Sequence, residues 1–328
     1  MRYYSIRITN PATGRVVVPN SLARLGYTDT TYTSFLNGRS LPGALNIEMD
    51  VVVVPFGTPA GGSFIRIQGV SLQEIGQSSD LNGFQIAVYG GMQKGLPLAN
   101  PLQAGLLLQG NIFQAFGNYI GTDMSLDLII SADDGTIEKP KNIVHFWLKG
   151  TPLKDAIEAT LTTAFPGYTA DIEISPNLVY TEDSVGYYQT VEQYAAYIED
   201  VSKAIIGGTY DGVKVSLTEK TFFVYDGSLA SVPRQIEFKD LIGQPTWIGP
   251  GMMQFKCAMR ADIVLGDTVK LPQGLVTTNA SAQASQIDLK SSFQGSFLVN
   301  QVRHAGNFRQ PDAESWVTVI DAAAQNIT

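Results

Sequence analysis

Apolar and polar residues alternate with a period of two through much of the first third of the chain. The alternation is clearest over residues 5–8, 45–49 and 64–70. This period is typical of half-buried strands, and turn signals such as Asn82-Gly83 separate the runs. Short, evenly spaced strands predict a small β-barrel-like domain with loop insertions over residues 1–140.

The hydrophobic period becomes helical in the middle of the chain. Thr151-Pro152 offers a cap and a first-turn proline, and apolar residues follow at helical spacing as far as Pro166-Gly167. A second helix is predicted to begin at Thr190, with Gln193 at capping-box spacing, and to end at Gly207-Gly208.

Three strand candidates lie around these helices, at residues 171–174, 213–217 and 221–225. Glu219-Lys220 predicts a tight hairpin turn between the last two. Helices and strands together predict an α+β middle domain over residues 141–231.

Strand-like alternation returns from Val232 and predicts a second β-barrel-like domain over residues 232–328. A polar segment at residues 277–286, rich in Ala, Ser, Gln and Asn, interrupts it. We expect this segment to be mobile or to bind a partner.

The two β-rich regions resemble each other. Gly117-Asn118-Tyr119 precedes a strand-like run at 125–132, and Gly306-Asn307-Phe308 precedes a similar run at 315–322. Upstream runs at 84–88 and 255–259 share an alternating pattern. The distance between the copies excludes a solenoid, whose units recur every few tens of residues. The predicted fold is mainly β, with two similar small β-barrel domains flanking a mixed α/β segment.

The run that begins at Trp316 is apolar on both faces. Trp316 and Ile320 share one face, while Val317 and Val319 share the other. A small barrel has one core, so the second face needs another domain or subunit to cover it. Each large side chain left in water would forgo roughly 1.5–3 kcal/mol.

Composition narrows the function classes. The 328 residues are 44% hydrophobic and only 16% charged, and the net charge is -8. An acidic chain without cationic clusters argues against nucleic-acid binding. The single cysteine, Cys257, excludes an intramolecular disulfide framework and is expected to be buried. The N-terminal residues do not have the pattern of a signal peptide, and we expect no membrane anchor.

The side chains that usually carry catalysis are scarce. His145 lies in an apolar run and is expected to be structural, and Cys257 with two histidines is too little for a structural zinc site. The carboxylate pairs Asp133-Asp134, Glu182-Asp183 and Glu199-Asp200 are expected to be turn or surface residues. No phosphate-binding glycine loop has the required strand–helix context. We expect no enzyme and no catalytic, cofactor-binding or metal-binding residues.

The C-terminal hundred residues resemble the baseplate hub proteins of contractile-tailed bacteriophages, which are related to hub proteins of contractile injection systems. The resemblance rests on residues 241–246, on the strand–turn–strand at 255–269, and on the hairpin at 295–308 that closes on 315–318. Asn307 and the triplet Arg260-Ala261-Asp262 depart from the usual pattern, which has an acidic residue and Asn-Pro respectively.

The resemblance implies a homotrimer whose two similar barrels per chain form a pseudo-sixfold ring. Such a ring joins the hexameric tail tube to the trimeric central spike and contacts other baseplate proteins. The implied location is the virion baseplate, assembled in the host bacterial cytoplasm, with DNA only as transient cargo that an acidic channel would not retain. His304 would have a structural role in the hairpin turn before Gly306.

Three alternatives remain open. Another tail structural protein, such as a tube-like or wedge component, would also use small β-domains. A tail-associated cell-wall hydrolase would use Asp133 and Glu182. A sugar-binding module would use exposed aromatic residues such as Tyr187-Tyr188 and Trp247.

Overall fold

The computed structural model describes residues 1–58, 62–94, 100–131, 141–180, 182–208, 210–218, 220–228, 232–272 and 293–325. The predictions for Asp133-Asp134, for Glu219 and for residues 277–286 lie outside this part of the chain. The described residues form two compact units. The first draws on Met1–Val53, Gly61–Ala132 and Val232–Thr328, and the second on Val54–Ala60 and Asp133–Ser231.

The strands of the described chain are β1 (Arg2–Thr9), β2 (Tyr32–Thr33), β3 (Phe35–Leu36), β4 (Arg39–Ser40), β5 (Asn46–Val53), β6 (Ser63–Gln68), β7 (Gln85–Met92), β8 (Gly105–Ile120), β9 (Asp123–Ser131), β10 (Ile143–Trp147), β11 (Thr169–Glu173), β12 (Ser184–Tyr188), β13 (Lys214–Thr218), β14 (Thr221–Tyr225), β15 (Arg234–Gln235), β16 (Thr246–Gly249), β17 (Met252–Ala258), β18 (Thr268–Lys270), β19 (Phe297–Asn307) and β20 (Trp316–Ala324). The helices are α1 (Asn20–Ala23), α2 (Leu72–Gly76), α3 (Leu153–Ala164) and α4 (Val191–Ile206). Short 3₁₀ helices span Ser78–Leu81, Pro101–Gln103 and Phe238–Asp240.

One hydrogen-bonded path of strands runs through the first unit, in the order β16-β17-β20-β19-β5-β6-β9-β8-β7-β1-β2. β18 pairs with β19, and β15 pairs with β18. The fold is therefore mainly β, as predicted. Two separate flanking barrels are not confirmed, because β19 pairs directly with β5 and the sheet does not close on itself among the described strands.

The same strand order occurs twice within this path. β5 to β9 are arranged 1-2-5-4-3, and β16 to β20 are arranged 1-2-5-4-3 as well. Every neighbouring pair in both sets is antiparallel. We call β5–β9 the first repeat and β16–β20 the second repeat. This order gives the similarity of the two β-rich regions a structural basis.

The resemblance of the two final hairpins, β8–β9 and β19–β20, falls on matching strands of the two repeats, but the bulges in β8 and β19 align Gly117 with His304 rather than with Gly306. The upstream match was wrong. Residues 84–88 lie at the start of β7, whereas residues 255–259 lie in β17, which has the sheet position of β6. All these strands alternate in the same way, so the sequence pattern alone did not distinguish β6 from β7.

The doubly apolar strand β20 is covered from within its own unit. Trp316 is 2% exposed and belongs to the core cluster of the first repeat, where its indole N–H donates to the Gly91 carbonyl at 3.0 Å. Gly306 makes this packing possible, because a Cβ there would lie 2.5 Å from the indole ring. Val317 is also buried.

The second unit packs α3 and α4 with two small sheets. β10 pairs with β12, and β14 lies between β11, to which it is parallel, and β13, to which it is antiparallel. Its core contains Trp147, Tyr194 and Phe222. No helix of the described chain is long and apolar enough to cross a bilayer.

The predicted helix starts are partly confirmed. Thr190 caps α4, since its hydroxyl accepts the Gln193 N–H at 3.3 Å, and Gly207 ends the helix with φ +71°. The Gln193 side chain accepts from Gln189 rather than from Thr190, so the capping box is incomplete. α3 begins one residue later than predicted. Pro152 occupies the cap position and Thr151 lies outside the helix.

Candidate functional site

Both histidines are buried and take structural positions. His304 lies inside β19, opposite Thr318 of β20 and Val51 of β5, and not in the turn where the sequence placed it. Its Nδ1 is 2.9 Å from the Thr318 hydroxyl, which donates to the Arg260 carbonyl and accepts the Arg260 N–H. Because that hydroxyl has one proton, Nδ1 must be the donor to it. Burial lowers the pKa of His304 to about 3.

His145 has a similar environment in the second unit. Its Nδ1 lies 3.2 Å from the Thr160 hydroxyl and 3.0 Å from the Tyr194 hydroxyl. Burial lowers its pKa to about 4, so the ring is neutral at physiological pH. Neither histidine reaches solvent, which a general base acting on an external substrate would need to do.

A buried ion-pair cluster surrounds Arg260, which is 4% exposed. Its guanidinium donates two bonds to Asp262, at 2.6 and 2.7 Å, and approaches Asp240 at 3.3 Å. Arg260 and Asp262, two of the residues that depart from the hub pattern, therefore form a charge cluster with Asp240. No pattern in the sequence indicates that Asp240 and Asp262 contact the same guanidinium group.

One residue of each described carboxylate pair, Asp183 and Glu199, makes a structural contact. Asp183 accepts the Lys149 N–H at 2.7 Å, and Glu199 contacts both Lys203 and Lys214 at 2.5 Å. Burial opposes ionisation of Glu199, but the two ammonium groups outweigh it and lower its pKa. In the part of the chain that the structure describes, no group of three or more His, Cys, Asp or Glu side chains could hold a metal ion.

Cys257 is fully buried in β17. Burial raises the pKa of its thiol to about 12, so the thiolate that nucleophilic chemistry requires is absent at neutral pH. The prediction of a buried cysteine is confirmed.

The most distinctive accessible features are exposed apolar residues on strands. In the second unit, β10 and β12 share an outward face formed by Val144, Phe146, Val185 and Tyr187. Each of these side chains is at least 43% exposed. We call this surface the β10–β12 face.

Two further groups lie on strand edges of the first unit. The end of β8, residues 116–120, exposes Phe116, Tyr119 and Ile120, and we call it the β8 tip. β16 exposes Trp247 and Ile248 beside the open end of the strand path. Edges with large apolar side chains are where another chain can add strands.

The proposed aromatic platform is not assembled as one surface within either unit. Tyr187 is exposed, but Tyr188 packs on Tyr194 and Tyr197 with ring centroids 5.5 and 4.9 Å apart. Trp247 belongs to the first unit, where it stacks on Phe293 at 5.3 Å.

The sequence matches no protein-family model and no curated protein. The fold, however, is similar to several solved structures. A tail protein from Neisseria meningitidis MC58 aligns with a TM-score of 0.51 at 10% identity, over 99% of this chain and 97% of that chain. The 43 kDa tail protein of prophage MuSo2 from Shewanella oneidensis aligns with a TM-score of 0.51 at 7% identity, over 99% and 97%.

A third similar structure is the E. coli c3393 protein, with a TM-score of 0.50 at 10% identity over 86% of this chain and 74% of that chain. It is described as a component of the type VI secretion system, structurally similar to the T4 bacteriophage tail proteins gp27 and gp5. The resemblance to baseplate hub proteins, found in the sequence, is thus confirmed at the level of the fold.

Proposed function

We propose that this chain is a structural hub of a contractile-tail baseplate. It forms a trimeric ring with pseudo-sixfold symmetry that joins the hexameric tail tube to the trimeric central spike. The observation that carries the proposal is the repeated strand order, 1-2-5-4-3, within one chain. Three copies with two repeats each supply six similar positions, which is what a threefold component needs to meet a sixfold tube.

The accessible chemistry is consistent with this function. The histidines and the cysteine are buried, and the exposed groups described above consist of apolar strand residues. The solved structures with this fold are described as tail or secretion-system components. An obligate interface of this kind buries on the order of 2,000 Å² or more, and apolar edges suit such burial.

Native mass spectrometry of the purified chain, followed by electron microscopy of the particles, tests the proposal. We expect a three-chain mass and a ring with six peripheral lobes. A hexamer, or chains that form no ring under tail-assembly conditions, would favour a tube-like or wedge component instead. Clearing of peptidoglycan in a zymogram, lost in Glu182→Ala, would favour a hydrolase.

A further inference from the structure

The fourth strands of the two repeats, β8 and β19, have the same local design. Each contains a bulge, at Phe113 in β8 and at Asn300 in β19, where the register against the last strand shifts. A glutamine follows each bulge, at Gln114 and Gln301. These features align the two strands residue by residue.

The backbone bonds just before the bulges confirm this alignment. Ile112 accepts the Gly83 N–H at 2.7 Å and donates to the Phe84 carbonyl at 2.8 Å. Val299 accepts the Gly266 N–H at 3.0 Å and donates to the carbonyl of the next residue, Asp267, at 2.9 Å. Both glycines have positive φ, +80° and +83°. Ile112 and Val299 are therefore equivalent.

Beyond the bulge the two strands differ in their partners. β19 leaves β18 and pairs with β5, from Val302 opposite Val53 to Asn307 opposite Glu48. Ala115 is the β8 residue equivalent to Val302, and its N–H is held by the Asn82 side chain at 2.8 Å. From residue 116 to 120, no described strand pairs with β8 on the side away from β9.

The strand equivalent to β5 also has an open edge. In the second repeat this strand is β16, which is the end of the strand path and pairs among the described strands only with β17. Thr246 lies opposite Gln254, and Trp247 lies opposite Met253. Comparison with the first repeat makes Thr246 equivalent to Asp50 and Trp247 equivalent to Val51.

The two unpaired edges have matching chemistry. Phe116, Tyr119 and Ile120 are 41%, 63% and 76% exposed on the β8 tip, and Trp247 and Ile248 are 42% and 50% exposed on β16. Open edges in proteins that stay monomeric are usually protected by charge, proline or short length. Neither the β8 tip nor β16 contains a charged residue or a proline, although β16 is only four residues long and lies between Pro245 and Pro250.

The pairing of β19 with β5 includes an ion pair at the positions equivalent to Phe116 and Thr246. There Arg303 forms two bonds of 2.6 Å with Asp50. The equivalent residues, Phe116 and Thr246, cannot form an ion pair. The unpaired edges therefore differ in recognition chemistry from the pairing that is already made within the chain.

We propose that the β8 tip of one copy pairs antiparallel with β16 of a second copy, in the register of β19 on β5. Gly117 then lies opposite Trp247, and Asn118 lies opposite Thr246. This is a head-to-tail contact, which closes into a ring when the rotation per copy allows it. The inference deepens the proposed function, because it identifies the two edges that join successive copies of the ring.

Disulfide trapping tests the register in the full chain. In the matching pair within the chain, Ala305 and Asp50 lie directly opposite each other, and opposed residues of neighbouring strands have Cβ atoms about 4.5–5.5 Å apart. This separation is close enough for a disulfide after small adjustment. We expect Asn118→Cys with Thr246→Cys to give covalent three-chain rings under mild oxidation, reversed by reductant. The native Cys257 is buried and does not compete.

Matched controls keep the result specific. Each single variant should give no cross-link, and neither should Asn118→Cys combined with a cysteine at the exposed Thr13. Ile120→Asp should weaken assembly at least about tenfold, which corresponds to 1.4 kcal/mol, with an unchanged thermal midpoint of the dissociated chain. A three-chain mass without the 118–246 cross-link would overturn this interface and leave the hub function standing. A chain that remains monomeric and uncross-linked at all concentrations would overturn both.

Discussion

At the scale of single residues, the buried polar groups hold the sheet together. His304, Thr318 and Arg260 form one hydrogen-bonded chain across β19, β20 and the end of β17. Arg2, near the start of the sequence, adds a further contact, since its guanidinium donates to the carbonyl of Asn307 at the end of β19 and to that of Asp312 in the following turn. These groups stabilise the fold. Their removal should lower the free energy of unfolding and should affect assembly with other copies only as a consequence.

Loss of Arg260 is expected to be costly, because it leaves the carboxylates of Asp240 and Asp262 without their buried partner. Arg260→Ala should lower the free energy of unfolding by about 3–5 kcal/mol in urea titrations. Arg234 also contacts Asp262, at 3.1 Å, but is 42% exposed, so Arg234→Ala should cost less than about 1 kcal/mol. Equal losses for the two variants would contradict the importance of burial.

Stability should also fall with acid. The folded-state pKa values of His145 and His304, about 4 and about 3, lie below the ordinary value of 6.5. Between pH 6.5 and 4 the unfolded chain therefore binds protons that the folded chain does not, and the free energy of unfolding decreases as pH decreases. We expect about 1.4 kcal/mol per pH unit for each histidine.

Urea titrations at pH 7 and pH 5 measure this slope. The variant with both His145→Gln and His304→Gln serves as the control, and its stability should depend less on pH over the same range. A slope as steep as that of the unmodified chain would assign the effect to other groups.

At the scale of elements, the sequence predicted strands and helices well where the hydrophobic period was long. β14 and α4 were placed within one residue, because their signals continue over the whole element. In the strand–turn–strand predicted at 255–269, the second strand is only β18, which has three residues and pairs with β19 at two positions. Pairing partners far apart in sequence, such as β19 and β5, leave no local signal, so the order of strands could not be predicted.

The caps of α3 and α4 provide a prediction at this scale. Thr190→Ala should destabilise the second unit by about 1 kcal/mol, because the Gln193 N–H loses its acceptor. Thr151→Ala is the matched control. Thr151 lies outside α3 and should cost less than about 0.5 kcal/mol. Chemical denaturation monitored by circular dichroism measures the free energy of unfolding of both variants. A larger decrease for Thr151→Ala than for Thr190→Ala would contradict the assigned helix start.

At the scale of the whole molecule, the two repeats share one sheet, and the second repeat contributes a side chain to the core of the first. Trp316 of the second repeat completes the core of the first, and β5 of the first repeat extends the sheet of the second. The candidate docking edges could not be predicted from the sequence, because Phe116 and Trp247 have the pattern of ordinary strand residues. Only the strand order shows that, among the described strands, their edges have no pairing partner on one side. Their exposure becomes informative only in the assembled sheet.

This sharing predicts that residues 232–328 do not fold alone. Without the first repeat, β19 keeps β20 but loses β5 from its other edge, and the Trp316 indole loses both its packing and the Gly91 carbonyl. The isolated segment should show no cooperative thermal transition and little dispersion in its amide NMR spectrum. A cooperative transition would indicate an autonomous second barrel, as the sequence alone predicts.

The bond between Arg303 and Asp50 spans 253 positions of the chain. A ribosome that adds 5–20 residues per second needs roughly 10–50 s to synthesise that interval. Throughout this time β5 has been translated while β19 has not, and its edge is open to a β19 delivered by a neighbouring nascent chain on the same messenger. Slow translation or crowded polysomes should therefore increase strand-exchanged oligomers. This risk of misassembly follows from the order of the strands along the chain and not from the structure of the finished ring.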